Sequence, residues 1–167
     1  IDHVRRNATM PVVAHGDAVV QIYVDSRVDL EQAVAIVDNA KTRRYSICNA
    51  VDTLLVHENV APAFLGRLVG KWGPKVTFIG DSRAREVLER AGASDIEPAT
   101  QETWKTEHLA LRVGVRIVDS MTEAIEHIEQ VQVHAEVVLP ARRLGLLPIL
   151  ANDERVQIQI EYRDCVE

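Results

Sequence analysis

The chain has 167 residues, 47% of them hydrophobic and 26% charged, with 25 acids against 19 bases and a formal net charge of -6. That length suits one domain with a substantial core, and the excess of acids argues against nucleic acid as a partner, because phosphate binding needs a positive field. At 4% aromatic residues there is no stacking platform for single strands, and no run approaches a membrane span.

Strand and helix patterns alternate along the chain. Val19–Val24 (VVQIYV) is rich in β-branched residues and reads as a strand. Asp29 is placed to cap a helix whose apolar positions Leu30, Ala33, Val34, Val37 and Ala40 recur at helical spacing. A turn and a short strand, Thr53–Val56, follow. A second helix carries Val60, Phe64, Leu65 and Leu68 on one face and ends near Gly70 and Gly73.

Lys75–Ile79 (KVTFI) is the next strand. Ser82 is expected to cap a third helix with Ala84, Val87, Leu88 and Ala91, stopped by Gly92. Residues 93–108 read as polar and irregular. Leu109–Val118 is a strand, Asp119–Ser120 leads into a helix with Ala124, Ile125 and Ile128, and Glu136–Leu139 is a strand ended by Pro140. This alternation predicts an α/β fold, a mostly parallel sheet with flanking helices. Beyond it, Ala141–Leu150 is apolar with glycyl and prolyl breaks, and Val156–Tyr162 (VQIQIEY) alternates strictly, as an edge or interface strand does. The expected organisation is an α/β domain over 1–140 and a divergent C-terminal segment over 141–167 that carries an oligomerisation strand, so a homo-oligomer is expected.

Two cysteines, Cys48 and Cys165, make no disulfide framework and suit a reducing compartment, so a cytoplasmic protein is expected. The first residues lack the order of a signal peptide. The start at Ile1 suggests an excised segment of a larger functional unit.

Cys48 stands where the first helix pattern stops and the next strand begins. Ser46 and Asn49 flank it, and Arg43 and Arg44 lie upstream. A buried structural thiol at the junction is one reading; a nucleophile held at an element boundary is the other. His57, nine residues on, is carried away by the strand at about 3.3 Å per residue and is not its hydrogen-bond partner. His127 and His134 lie near Glu126, Glu129 and Glu136, but the spacing is poor for a metal and reads as solvated surface; no metal is expected. No glycine-rich phosphate loop is present. Glu107, in the polar cluster Trp104–His108, is either a solvated loop acid or an acceptor for a sugar diol at the strand edge, where ligands of open α/β sheets lie.

These segments together resemble the catalytic portion of the γ-glutamyl phosphate reductase (glutamate-5-semialdehyde dehydrogenase) family, in the aldehyde dehydrogenase superfamily. The resemblance rests on Val4–Gly16, Tyr23–Asp25, Asp29–Leu30 and Asn39–Lys41. It is strongest at Cys48–Ala50 with Asp52–His57, and continues at Trp104–Leu109, Val118–Ser120, Glu123–Ile128 and His134–Glu136. It runs from about residue 4 to 139 and favours the nucleophile reading of Cys48.

The resemblance implies an aldehyde-dehydrogenase-like catalytic domain and reduction of γ-glutamyl phosphate through a cysteine thioester, with NADPH as cofactor. Cys48 and its neighbour Asn49 fall on the catalytic positions, and Glu107 on the acid that holds the nicotinamide ribose. Arg43 and Arg44 are available to compensate the thiolate, which lies past a helix C-terminus, or to hold the substrate's carboxylate or phosphate. The departures are specific. Ala18–Gln21 replaces a Gly-Asn-Cys-His-like patch, Tyr45 replaces a proline, and the family's later blocks and cofactor half are missing. A degenerate, non-catalytic paralogue acting as a binding or assembly module, and an aldehyde dehydrogenase with another acyl substrate, stay open.

Overall fold

The structure, a computed structural model, describes residues 19–131 and the backbone of 135–138. Val4–Gly16, Ala18, His134, Cys165 and the expected strand 156–162 lie outside the described residues.

Six strands form one sheet in the order β4-β3-β5-β2-β1-β6. They are β1 (Val20–Val24), β2 (Val51–His57), β3 (Thr77–Gly80), β4 (Ile96–Pro98), β5 (Arg112–Val118) and β6 (Ala135–Val138). Every pairing is parallel. Parallel neighbours need crossovers, and four α-helices serve: α1 (Leu30–Thr42), α2 (Ala61–Trp72), α3 (Ser82–Arg90) and α4 (Met121–Val131).

Strand alternation sorts the core into two layers. Ile22, Val24, Leu54, Val56, Val113, Val115 and Ile117 face one side, where they pack on Ala33, Val34 and Val37 of α1, Phe64, Leu65 and Leu68 of α2, and Ala84 and Leu88 of α3. Tyr23, Leu55 and Val118 face the other and meet Ala124 and Ile128 of α4. β2 is buried along nearly its whole length, as expected of a strand covered on both faces.

The helix ends differ from expectation at one cap. Asp29 accepts from Glu31 and Gln32 N–H at 2.9 and 3.0 Å, as its position predicts. At α3 the cap is Asp81, not Ser82. Its Oδ1 accepts from Ala84 N–H at 2.7 Å, and its Oδ2 from Ile117 N–H at 3.2 Å. Gly92 closes that helix at φ 80°, a conformation glycine adopts without strain.

The irregular stretch is more ordered than its polarity implies. It holds β4 and a 3₁₀ turn over Thr103–Lys105. β5 lies between β3 and β2, so the chain leaves β4 at one sheet edge and must return to the middle. It crosses the α4 face on the way, burying Thr103 and Trp104. A Cβ on Gly114 would come within 3.2 Å of the Trp104 ring and 3.0 Å of Thr53 Oγ1, so the bare backbone of Gly114 makes room for the crossing.

His127 corrects an expectation. It is buried, not solvated, and packs edge-on against Trp104 with ring centroids 5.4 Å apart. An apolar, aromatic setting of this kind is a core environment. Burial, reinforced by the Arg116 charge and partly opposed by Glu123, pushes its pKa down to about 4.

Candidate active site

All the strands run the same way, so the residues just before β1, β2 and β5 share the amino edge of the sheet. The expected site residues collect there. Ligands of open α/β sheets commonly lie at the carboxyl edge; the Glu107 segment instead enters β5 at its amino end, which corrects that placement.

The Cys48 loop is built from the end of α1. Ala33, Val34, Val37 and Lys41 form the buried face of that helix, so helical spacing drives Lys41 into the interior although it carries a charge. Its side chain is 0% exposed, and Nζ donates to the Val51 carbonyl at 2.8 Å. That bond joins the last turn of α1 to the first residue of β2. Between them the chain loops outward. Ala50 N–H donates to the Ile47 carbonyl at 3.0 Å, which makes Cys48 and Asn49 the central residues of a tight turn.

Cys48 is exposed, which removes the buried structural reading. Asn49, Arg43 and Arg44 are exposed too, and neither arginine forms an ion pair among the described residues. The Cys48 N–H donates to no protein acceptor among the described residues. Cys48 lies six residues past Thr42 and in contact with solvent, where a helix-end dipole is screened and fades within a turn. The compensation expected of the arginines is correspondingly smaller. His57 sits at the far end of the seven-residue strand β2, where its Nδ1 accepts from Asn59 N–H, as the spacing predicts.

Asp52 ties the edge together. It is 1% exposed; Oδ2 accepts from Val20 N–H at 3.2 Å and Oδ1 from His108 N–H at 2.9 Å. Burial raises its pKa; the His108 N–H, the Lys41 charge and the Val20 N–H oppose that, and Glu107 adds to it. Lys41 shows the matching conflict, since burial pushes it down to about 8 against the pull of Asp52. Both shifts are governed by lost hydration, the dominant cost of burying a charge.

Glu107 is half-buried next to His108. It has no hydrogen-bond partner among the described residues, and its charge is felt at Asp52. His108 is pushed down to about 4 by burial and by the Lys41 and Arg112 charges, partly opposed by Glu97, and is neutral at physiological pH. Leu109 has φ 47°, a left-handed conformation that costs a branched residue roughly 1 kcal/mol.

The fold therefore brings Cys48, Asn49 and Glu107 to one edge, all within a few residues of Asp52 or its partner. Sequence reasoning passed over Lys41 and Asp52 as site residues. The signal was there: a lysine one turn beyond Val37 on the apolar face, and an aspartate inside a β-branched run. It also left Gln21 unremarked as a buried group. Gln21 is 0% exposed, and its amide atoms have no partner among the described residues. No cluster of three metal-ligating side chains occurs among the described residues.

A parallel sheet with helices on both faces is the architecture of aldehyde-dehydrogenase-like proteins. The fold is shared with an acetylating aldehyde dehydrogenase from Geobacillus thermoglucosidasius, at TM-score 0.66 and 16% identity over 95% of this chain and 43% of that one. No family model matches the chain. Two further comparisons are more specific. γ-Glutamyl phosphate reductase of Dehalococcoides mccartyi is 43% identical over 129 residues, 77% of this chain and 30% of that protein. The crystal structure of γ-glutamyl phosphate reductase from Thermotoga maritima superposes at TM-score 0.78 and 32% identity, over 95% of this chain and 38% of that one. The chain is thus similar over most of its length to a portion of γ-glutamyl phosphate reductases, and it spans about 30% of the length of such curated relatives. Other relatives align over up to 96% of the chain, so the similarity extends past Leu139, where the sequence blocks stop.

Proposed function

We propose that this chain supplies the catalytic-cysteine portion of an enzyme that reduces γ-glutamyl phosphate to glutamate 5-semialdehyde in proline biosynthesis. The observation that carries the reading is the exposed Cys48 thiol on a tight turn at the amino edge, with the Glu107 loop tied beside it through Asp52.

In this reading the Cys48 thiolate attacks the acyl carbon of the acyl phosphate. The C–O bond to phosphate breaks, phosphate leaves with the electron pair, and a thioester remains on Sγ. Splitting the reduction this way replaces one difficult step with two easier ones. The tetrahedral oxyanion needs fixed N–H donors, and the unpaired Cys48 N–H suits that task, with the Asn49 side chain beside it. Arg43 and Arg44, exposed and without ion-pair partners among the described residues, are available to hold the substrate's carboxylate or phosphate.

The half-buried Glu107 carboxylate, without a hydrogen-bond partner among the described residues, suits a ribose diol, which offers it two hydroxyl donors. NADPH, when bound, supplies the hydride that releases the aldehyde from the thioester. No glycine-rich phosphate loop occurs in the sequence, so the remainder of the dinucleotide needs surface from outside this chain.

The test is Cys48→Ala in the full-length protein, together with the pH dependence of Cys48 alkylation. Loss of acyl-phosphate reduction with folding retained is the expected result. Normal turnover in that variant overturns the reading. An inert Cys48 and no reductase activity in the unmutated full-length protein would instead favour the non-catalytic binding or assembly module.

A further inference from the structure

The two loops that carry the proposed chemistry have no hydrogen bond to each other among the described residues. Residues 43–50 hold Cys48, and residues 106–111 hold Glu107. Each is fastened by one buried charged residue, Lys41 or Asp52. Lys41 Nζ holds the Val51 carbonyl at 2.8 Å and so closes the Cys48 loop at its base. Asp52, the next residue, holds the His108 N–H at 2.9 Å through one oxygen and the Val20 N–H at 3.2 Å through the other.

We propose that Lys41 and Asp52 are positioning residues that set the Cys48 loop and the Glu107 loop at a fixed separation across the amino edge of the sheet. The inference rests on the roles proposed above for Cys48 and Glu107.

Three observations support it. Both side chains are essentially without solvent exposure, and a buried charged group is a poor device for stability alone, because its lost hydration is costly and well-packed apolar groups do as well or better. Their polar atoms are spent on backbone groups of Val51, His108 and Val20, not on neighbouring side chains. Leu109 follows directly after the residue that Asp52 grips and is held at φ 47°; a strained backbone persists where its surroundings over-determine it.

The chemistry separates two arms of the test. Asp52→Asn leaves one acceptor oxygen for two N–H groups and turns an NH2 toward the other. The His108 and Val20 amides should then exchange with solvent at least about tenfold faster, while the β2–β5 ladder exchanges as before. In the full-length protein the same variant should raise KM for the nicotinamide cofactor about tenfold, since the Glu107 loop is the one released. Lys41→Met releases the Cys48 loop instead, and should lower kcat about tenfold with KM for the cofactor nearly unchanged.

A merely structural role would lower the amount of folded protein and leave kcat and KM per folded molecule as they were. That result, or unchanged exchange at His108, overturns the proposal. If a single variant leaves a lone buried charge and does not fold, the Lys41→Met, Asp52→Asn double variant has no lone charge and is assayed in its place; both losses should appear together. Amide exchange needs no turnover, whereas Cys48→Ala tests the function alone, so failure of one reading is distinct from failure of the other.

Discussion

Acidification should destabilise this fold through His127. The ring is 4% exposed, packs on Trp104, and has its Nε2 buried without a partner among the described residues. Burial first, and then the Arg116 charge, depress its pKa from 6.5 to about 4, with Glu123 acting the other way. The unfolded chain therefore takes up a proton as pH falls through about 6.5, which the folded chain refuses until about 4. Stability is fully retained above that window and falls as pH drops through it. At 1.36 kcal/mol per pK unit the loss is about 2 kcal/mol at pH 5 and about 3 kcal/mol below pH 4. His108, also pushed down to about 4, adds in the same direction. Denaturant unfolding at about pH 7 and about pH 5 measures the loss in the unmutated protein and in His127→Leu. The variant removes the titration and keeps an apolar side chain of similar size, so its stability should fall by about 2 kcal/mol less across the interval. Equal losses in the two proteins would refute the assignment of the acid sensitivity to His127.

Three other substitutions test the architecture and the site. Asp29→Ala removes the acceptor for two first-turn N–H groups of α1 and should cost about 1 kcal/mol in denaturant unfolding, with Cys48 alkylation unaffected. Gly114→Ala puts a methyl group 3.0 Å from Thr53 Oγ1, 3.2 Å from the Trp104 ring and 3.4 Å from the Asp52 carbonyl; overpacking of this kind should destabilise by about 1–3 kcal/mol, read as a lower denaturation midpoint. Glu107→Gln in the full-length protein should raise KM for the nicotinamide cofactor and leave the rate of Cys48 alkylation unchanged, because the diol loses a charged acceptor while the thiol's own loop is untouched.

The alternation of periods carried most of the architecture. The 3.6-residue repeat of Leu30, Ala33, Val34 and Val37 and the strand patterns at Val19–Val24 and Leu109–Val118 each returned the expected type of element, with the strands starting later, at Val20 and Arg112, since burying one stripe or both faces leaves its mark on every turn and strand. Cap chemistry was less legible at α3. Asp81 and Ser82 are both good caps, and only the fold shows that Asp81 also reaches Ile117 on β5, a contact 36 residues away. His127 misled for a related reason. Acids flank it on the helix, yet the residue that buries it, Trp104, arrives from a crossing segment that no local pattern announces.

What the sequence determined by itself was the set of elements apart from β4 and the 3₁₀ turns, the parallel α/β class, and the position of Cys48 at a helix-to-strand junction, because those depend on neighbours within a few residues. What only the tertiary structure decided was that β5 inserts between β3 and β2. That insertion carries Glu107 and His108 to the amino edge beside Cys48, and it makes Asp52 their common anchor. Strand order is set by contacts between residues as far apart as Asp52 and His108, where burial and hydrogen bonding to the backbone are satisfied together, and no local period encodes them.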